Sequence, residues 1–149
     1  MVFIWHFLAV GCSWRLVLGR GLEAVGELVE RIGEVRDRFG DQTGDCSGLT
    51  MTSWAAAGVA IPRTAAVQST TGVPVPGLSA LQPGDLLFLA GSLGTASAPG
   101  HNGMYIGAVD GIGYLVHAPQ SGRSVEVRPL SRWDGLIVAI RRPIVRPNL

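Results

Sequence analysis

From residue 81 onward the apolar residues of this chain fall in short runs, each closed by glycine or proline. Leu86-Leu87-Phe88-Leu89-Ala90 follows the turn Leu81-Gln82-Pro83-Gly84-Asp85. An apolar run of that length between turn signals reads as a buried strand. Residues 101–107 and 113–119 read as an antiparallel hairpin. Residues 122–127 read as a further strand, and 136–141 as the strand that closes the sheet. Ahead of them the period changes. Leu22, Val25, Leu28, Val29, Ile32, Val35 and Phe39 recur every three or four residues, and charged residues fill much of the remainder. This is an amphipathic helix over 22–39 with a solvated charged face, and Gly40 is placed to stop it. Helices followed by a run of strands make an α+β fold. The 149 residues suffice for one domain with its own core. A net charge of +1 gives no basis for binding nucleic acid or an acidic membrane surface.

Between the long helix and the strands lies Gly44-Asp45-Cys46-Ser47-Gly48-Leu49. Residues 47–57 contain no proline, and Gly58 follows them. Asp45 is therefore a natural N-cap, its carboxylate accepting a free amide of the first turn. Cys46 falls at the helix N-terminus, where dipole and unpaired amides favour a thiolate, the nucleophilic form of cysteine. A buried structural cysteine is the alternative for a lone thiol. Cys12 is the second cysteine, and two give neither a CxxC metal pair nor a disulfide scaffold. A bridge between them would disarm Cys46.

A thiol nucleophile needs a base, and the base needs a group that fixes its tautomer. His101 follows a glycine-, serine- and alanine-containing loop over 91–100, which is placed to shape a substrate groove, and His117 lies on the next strand. The two share a face only if the intervening loop has an odd number of residues. A two-residue Asp110-Gly111 turn would set His117 opposite Met104, facing away from His101. The catalytic reading therefore requires the odd loop. Cys46, His101 and His117 are also the makings of a zinc site, but a lone cysteine at a helix N-terminus suits a nucleophile better. No metal and no other cofactor is expected. Asp85 reads as a turn lock. Arg63 is either a surface ion-pair partner or a contact for an anionic substrate.

At these residues the chain resembles the NlpC/P60 family of cysteine peptidases. Asp45-Cys46-Ser47-Gly48-Leu49 is similar to the family's nucleophile motif. Gly58-Val59-Ala60-Ile61-Pro62-Arg63-Thr64 with Gln68 is similar to the segment that follows it, and Pro83-Gly84-Asp85-Leu86-Leu87-Phe88 to the next strand. His101-Asn102-Gly103-Met104-Tyr105-Ile106-Gly107 resembles the base-bearing strand, with Asn102 where valine is common. Val116-His117-Ala118-Pro119 resembles the segment with the third polar residue. The match is strongest over 44–142, inside a catalytic domain at 20–149. The resemblance implies a reduced papain-like fold, with N-terminal helices and the cysteine helix packed on an antiparallel sheet of about four to six strands. It implies Cys46 as nucleophile, His101 as general base and then acid, and His117 as the residue that orients His101. Asp45, Ser47 and Arg63 are the candidates for oxyanion or substrate contacts. The implied reaction is amide hydrolysis in peptidoglycan stem peptides, often between D-glutamate and the following diamino acid, through a thioester. The implied partner is that peptide alone, met by a monomer that is secreted or wall-associated.

One stretch departs from the family pattern. The family carries Tyr-x-Trp-Gly-Gly several residues before the cysteine, and its tyrosine helps form the oxyanion hole. Here Arg36-Asp37-Arg38-Phe39-Gly40-Asp41-Gln42-Thr43-Gly44 stands in that place. A lost oxyanion donor typically costs about a hundred- to a thousandfold in turnover. One alternative is therefore a weak or inactive peptidoglycan-binding module; a second is a related thiol amidase or acyltransferase, which the same fold would serve equally. Residues 1–19 are apolar and divergent, and their apolar run Met1 to Gly11 is too short to span a membrane as a helix. They have no basic start and do not make a convincing signal peptide.

Overall fold

The computed structural model describes residues 45–119, 123 and 125–144. The helix expected over 22–39, the apolar segment 1–19, Cys12 and the stretch 36–44 lie outside these residues. Helix α1 (Cys46–Ala56) comes first, then the single turn α2 (Ala65–Gln68). The strands are β1 (Val73–Pro74), β2 (Leu86–Leu89), β3 (His101–Val109), β4 (Ile112–His117), β5 (Glu126–Pro129) and β6 (Ile137–Arg142). Short 3-10 turns occupy Leu78–Ala80 and Leu130–Trp133. The strands form one six-stranded antiparallel sheet in the order β1-β6-β2-β3-β4-β5. A helix at the N-terminal side packed on such a sheet is the α+β architecture expected. The expected closing strand is β6, and it lies between β1 and β2.

Both faces of the sheet are covered, which is why β2 is a continuous apolar run and not an alternating one. Leu86 and Phe88 join Leu49 and Trp54 of α1, with Met104, Ile106, Val116 and Ala118, in one cluster. Leu87 points the other way, into a cluster with Val75, Leu115, Trp133 and Ile140. Gly58, with φ 81, turns the chain at the end of α1, as expected from its position. Asp85 locks the turn before β2 by accepting the Gln82 amide at 2.8 Å. It also takes two bonds from Arg142, Nε at 2.7 Å and Nη2 at 2.8 Å, so the end of β6 is tied to the start of β2. The strand expected over 122–127 is displaced: β5 begins at Glu126 and ends at Pro129, pairing with residues 114–117 of β4. The val–polar alternation from Val125 runs on through Arg128, and Pro129 ends it.

The hairpin corrects the sequence expectation. Its loop is the two-residue turn Asp110-Gly111, with φ 51 and 78, the left-handed pair that suits the twist of an Asp-Gly hairpin. The register runs Val109↔Ile112, Ala108↔Gly113, Gly107↔Tyr114. Continued unbroken, it would place His117 opposite Met104. Instead β3 carries one extra residue at Ile106, and the next pairs are Tyr105↔Leu115 and Met104↔Val116. Gly107, with φ 119, supplies the backbone of this bulge. The extra residue changes the parity of the pairing. His117 comes across from Gly103, on the same face as His101. The two histidines meet through an even turn and a bulge, not through an odd loop.

Candidate active site

Asp45 caps α1 as expected: its backbone is extended and its Oδ1 accepts the Gly48 amide at 2.7 Å. The same carboxylate takes a forked pair of bonds from Arg63, Nη1 to Oδ1 at 3.0 Å and Nη2 to Oδ2 at 2.8 Å. Arg63 Nη1 also reaches Ser47 Oγ at 3.1 Å, so the three residues form one cluster around the start of the helix. Burial works to raise the Asp45 carboxyl, but Arg63, the Gly48 amide and Ser47 outweigh it and hold it below the usual carboxylate range. Both Arg63 and Asp45 keep more than a third of their side chains exposed. Their pairing adds little stability by itself and leaves the guanidinium open to a ligand.

Cys46 opens α1 and is buried. Its Sγ lies 3.9 Å from the Gly100 carbonyl, and the Asn102 amide also acts on it, so the sulfur sits against the backbone on both sides of His101. Burial pushes the thiol up, and the Asp45 charge adds to that; the amides of Asn102, Ser47 and Cys46 pull it down without winning. The helix terminus therefore does not give a resting thiolate, contrary to the sequence expectation. Desolvation of the charged form outweighs the amides. Burial therefore favours the protonated thiol at this position.

Behind Cys46 lies an uncharged polar network that is fully buried. Gln68 Oε1 accepts from Thr50 Oγ1 at 2.9 Å and from Asn102 Nδ2 at 2.6 Å. Gln68 Nε2 donates to the carbonyls of Ser47 at 3.1 Å and Pro62 at 2.7 Å. One glutamine thus joins the start of α1, the segment before α2, and β3. Asn102 Oδ1 is left without a partner.

On the other face of β3, His101 Nε2 and His117 Nδ1 are 2.9 Å apart. The rings meet edge-on, with centroids 5.1 Å apart. Trp133 packs against both, at 5.5 Å from His101 and 5.4 Å from His117. Gly103 makes the room: a Cβ there would stand 2.8 Å from Trp133 and 3.2 Å from the His117 Cβ. Burial, with His117 alongside, pushes His101 down to about 4. His101 is therefore neutral at pH 7 and has a lone pair to offer. Burial also lowers His117, against the pull of the Glu126 carboxylate. His117 Nε2 is buried without a hydrogen bond, 3.8 Å from Glu126 Oε2.

The structure thus brings Cys46, His101, Asp45, Ser47 and Arg63 to one end of α1 and the adjoining strand, with His117 joined to His101. Sequence reasoning missed Trp133, which sits in a 3-10 turn with no periodicity to flag it, and Glu126, whose alternation with Arg128 was the available signal. Among the described residues no three His, Cys, Asp or Glu side chains are grouped to hold a metal ion.

The class is defined by one cysteine at a helix N-terminus, set against an antiparallel sheet that carries a histidine pair. The NlpC/P60 family profile matches residues 34–142. The chain belongs to the NlpC/P60 family. It is similar to a Bacillus cereus protein named gamma-D-glutamyl-L-lysine dipeptidyl-peptidase, 44% identical over 87 residues, covering 58% of this chain and 24% of that one. A Bacillus subtilis protein of the same name is 37% identical over 100 residues, covering 66% of this chain and 32% of its own length. The structure of the peptidoglycan hydrolase RipB from Mycobacterium tuberculosis matches with a TM-score of 0.53 at 33% identity, covering 68% of this chain and 46% of that one. The chain spans less than a third of the length of either Bacillus relative.

Proposed function

We propose that this domain is a cysteine endopeptidase that hydrolyses amide bonds in peptidoglycan stem peptides. The bond we assign lies between D-glutamate and the following diamino acid, the linkage in the names of the Bacillus relatives. The observation that carries the reading is a helix-borne thiol set between the Gly100 carbonyl and the Asn102 amide, the residues that flank His101, beside the His101–His117 bond. His101 takes the Cys46 proton as Sγ attacks the carbonyl carbon. The Cys46 amide helps hold the oxyanion. His101 then protonates the leaving amine, and a thioester remains on Cys46. Water, deprotonated by His101, attacks the thioester and frees the acid and the thiol.

Arg63 gives the site its preference for an anionic substrate. Asp45 and Ser47 hold the guanidinium at the rim of the site, where its exposed edge meets a carboxylate of the stem peptide. The domain acts as a monomer, at the cell wall or outside the cell, where that substrate is. Among the described residues no helix is long and apolar enough to cross a membrane.

The test is hydrolysis of purified muropeptides, with products identified by mass spectrometry. Wild-type protein releases a fragment that begins with the diamino acid, and Cys46→Ala abolishes the release. Equal hydrolysis by Cys46→Ala overturns the reading. Arg63→Ala is expected to raise KM about tenfold, the loss of one charge-assisted contact.

A further inference from the structure

Reading His101 as the base of Cys46, on which this inference rests, makes the location of two protons decisive. One proton lies in the 2.9 Å bond between His101 Nε2 and His117 Nδ1, and chemically it can belong to either ring. If His117 Nδ1 carries it, neutral His101 bears its own proton on Nδ1 and has no lone pair for the thiol. If His101 Nε2 carries it, His101 Nδ1 is bare and is a base. His117 must then hold its own proton on Nε2.

The surroundings of His117 Nε2 choose between the two. That nitrogen is buried, makes no hydrogen bond, and lies 3.8 Å from Glu126 Oε2. Glu126 is the residue directly across from His117 in the β4–β5 pair. A bare nitrogen lone pair facing a carboxylate is repelled, whereas an N–H is attracted. We propose that Glu126 is a positioning residue: its carboxylate keeps the His117 proton on Nε2 and thereby leaves His101 Nδ1 free for the Cys46 proton. At 3.8 Å the contact is too long for a direct hydrogen bond. It acts as a charge on a dipole.

Arg128 is the counterweight. It lies two residues along β5, on the same face. Its Nε and Nη2 meet the same Oε2 at 2.9 and 2.7 Å. The groups around His117 are His101 from β3, Glu126 and Arg128 from β5, and uncharged Trp133, with Cys46 beyond His101. Burial lowers the His117 imidazole, Glu126 raises it and Arg128 lowers it. Glu126 and Arg128 therefore act on the ring with opposite sign.

The test needs no substrate. Two-bond proton–nitrogen spectra of the full chain labelled with nitrogen-15 histidine read the tautomer of each ring, His6 being assigned by its own substitution. Above their titration, His101 and His117 are both expected as Nε2–H forms. Glu126→Ala converts the pair to a mixture containing Nδ1–H His117. Its titration midpoint moves down in Glu126→Ala and up in Arg128→Ala, and muropeptide kcat in Glu126→Ala falls about tenfold with KM unchanged. An Nδ1–H His117 in the wild type overturns the proposal, as does an unchanged tautomer in Glu126→Ala. So do midpoints that move the same way in both variants, the mark of a merely structural role. If the tautomers are as expected but wild-type protein cuts no muropeptide, the proton arrangement stands and the peptidase reading falls.

Discussion

The two faces of β3 solve different problems with side chains one residue apart. Asn102 faces α1 and enters a network of neutral amides and hydroxyls. His101 faces Trp133 and enters a pair of titratable rings. The first network joins three segments through fixed donors and acceptors, and no change of pH alters it. The second holds a proton that can move, and its outer end, His117 Nε2, meets a charge at a distance and makes no bond. A polar network that fixes geometry is best neutral, and this one is satisfied except at Asn102 Oδ1. One that moves protons has to keep an uncommitted site.

Substitutions can break each side separately. The largest effect is expected on the proton-moving face. His101→Ala should lower kcat about a thousandfold, some 4 kcal/mol of barrier. On the other face, Gln68→Ala takes its side-chain donor from the Pro62 carbonyl and removes one bond each from Thr50, Asn102 and the Ser47 carbonyl. It should cost about 2–4 kcal/mol in urea unfolding, since buried groups left unpaired are expensive. Gly103→Ala sharpens the contrast from the histidine side. Its Cβ would meet Trp133 at 2.8 Å and the Val116 carbonyl at 2.9 Å, so about 1–3 kcal/mol of stability should be lost and the His117 ring displaced. Asn102→Val should be the mildest, within about 1 kcal/mol, because it removes an unpartnered oxygen together with two bonds.

Acid offers a way to divide the faces without mutation. His101 is held near 4 in the folded chain, against about 6.5 when unfolded. Between those values the unfolded chain binds more protons, so this contribution to stability is full above pH 6.5 and is lost as pH falls through 4. Urea midpoints should decline over that window in the wild type. The decline should shrink in His101→Gln and persist in Asn102→Val.

Much of this was legible in the chain. Asp45 before a proline-free stretch gave the cap and the start of α1, and the apolar run after Gly84-Asp85 gave β2. Asp110-Gly111 also named its turn correctly, as a purely local preference. What could not be read was the extra residue at Ile106. A bulge is an agreement between two strands, and either strand alone looks regular. Without it, the correct turn and the shared histidine face contradict each other. Trp133 was silent for a similar reason: its place over the histidines depends on the clearing at Gly103, in another strand. The thiol's direction was misread because helix position is visible in sequence and burial is not.

The place of β6 has a consequence for synthesis. β2, at the centre of the sheet, pairs with β3 on one side and with β6 on the other. β6 is the last of the six strands to leave the ribosome, and Arg142, which ties down Asp85, is its final residue. Until then a nascent chain holds Cys46, His101 and His117, but has one edge of its most apolar strand bare. Such an edge invites mispairing. The reactive constellation and the means to hold it together are therefore made at different times, and a chain cut short before residue 137 would carry every candidate catalytic group without a finished sheet to align them.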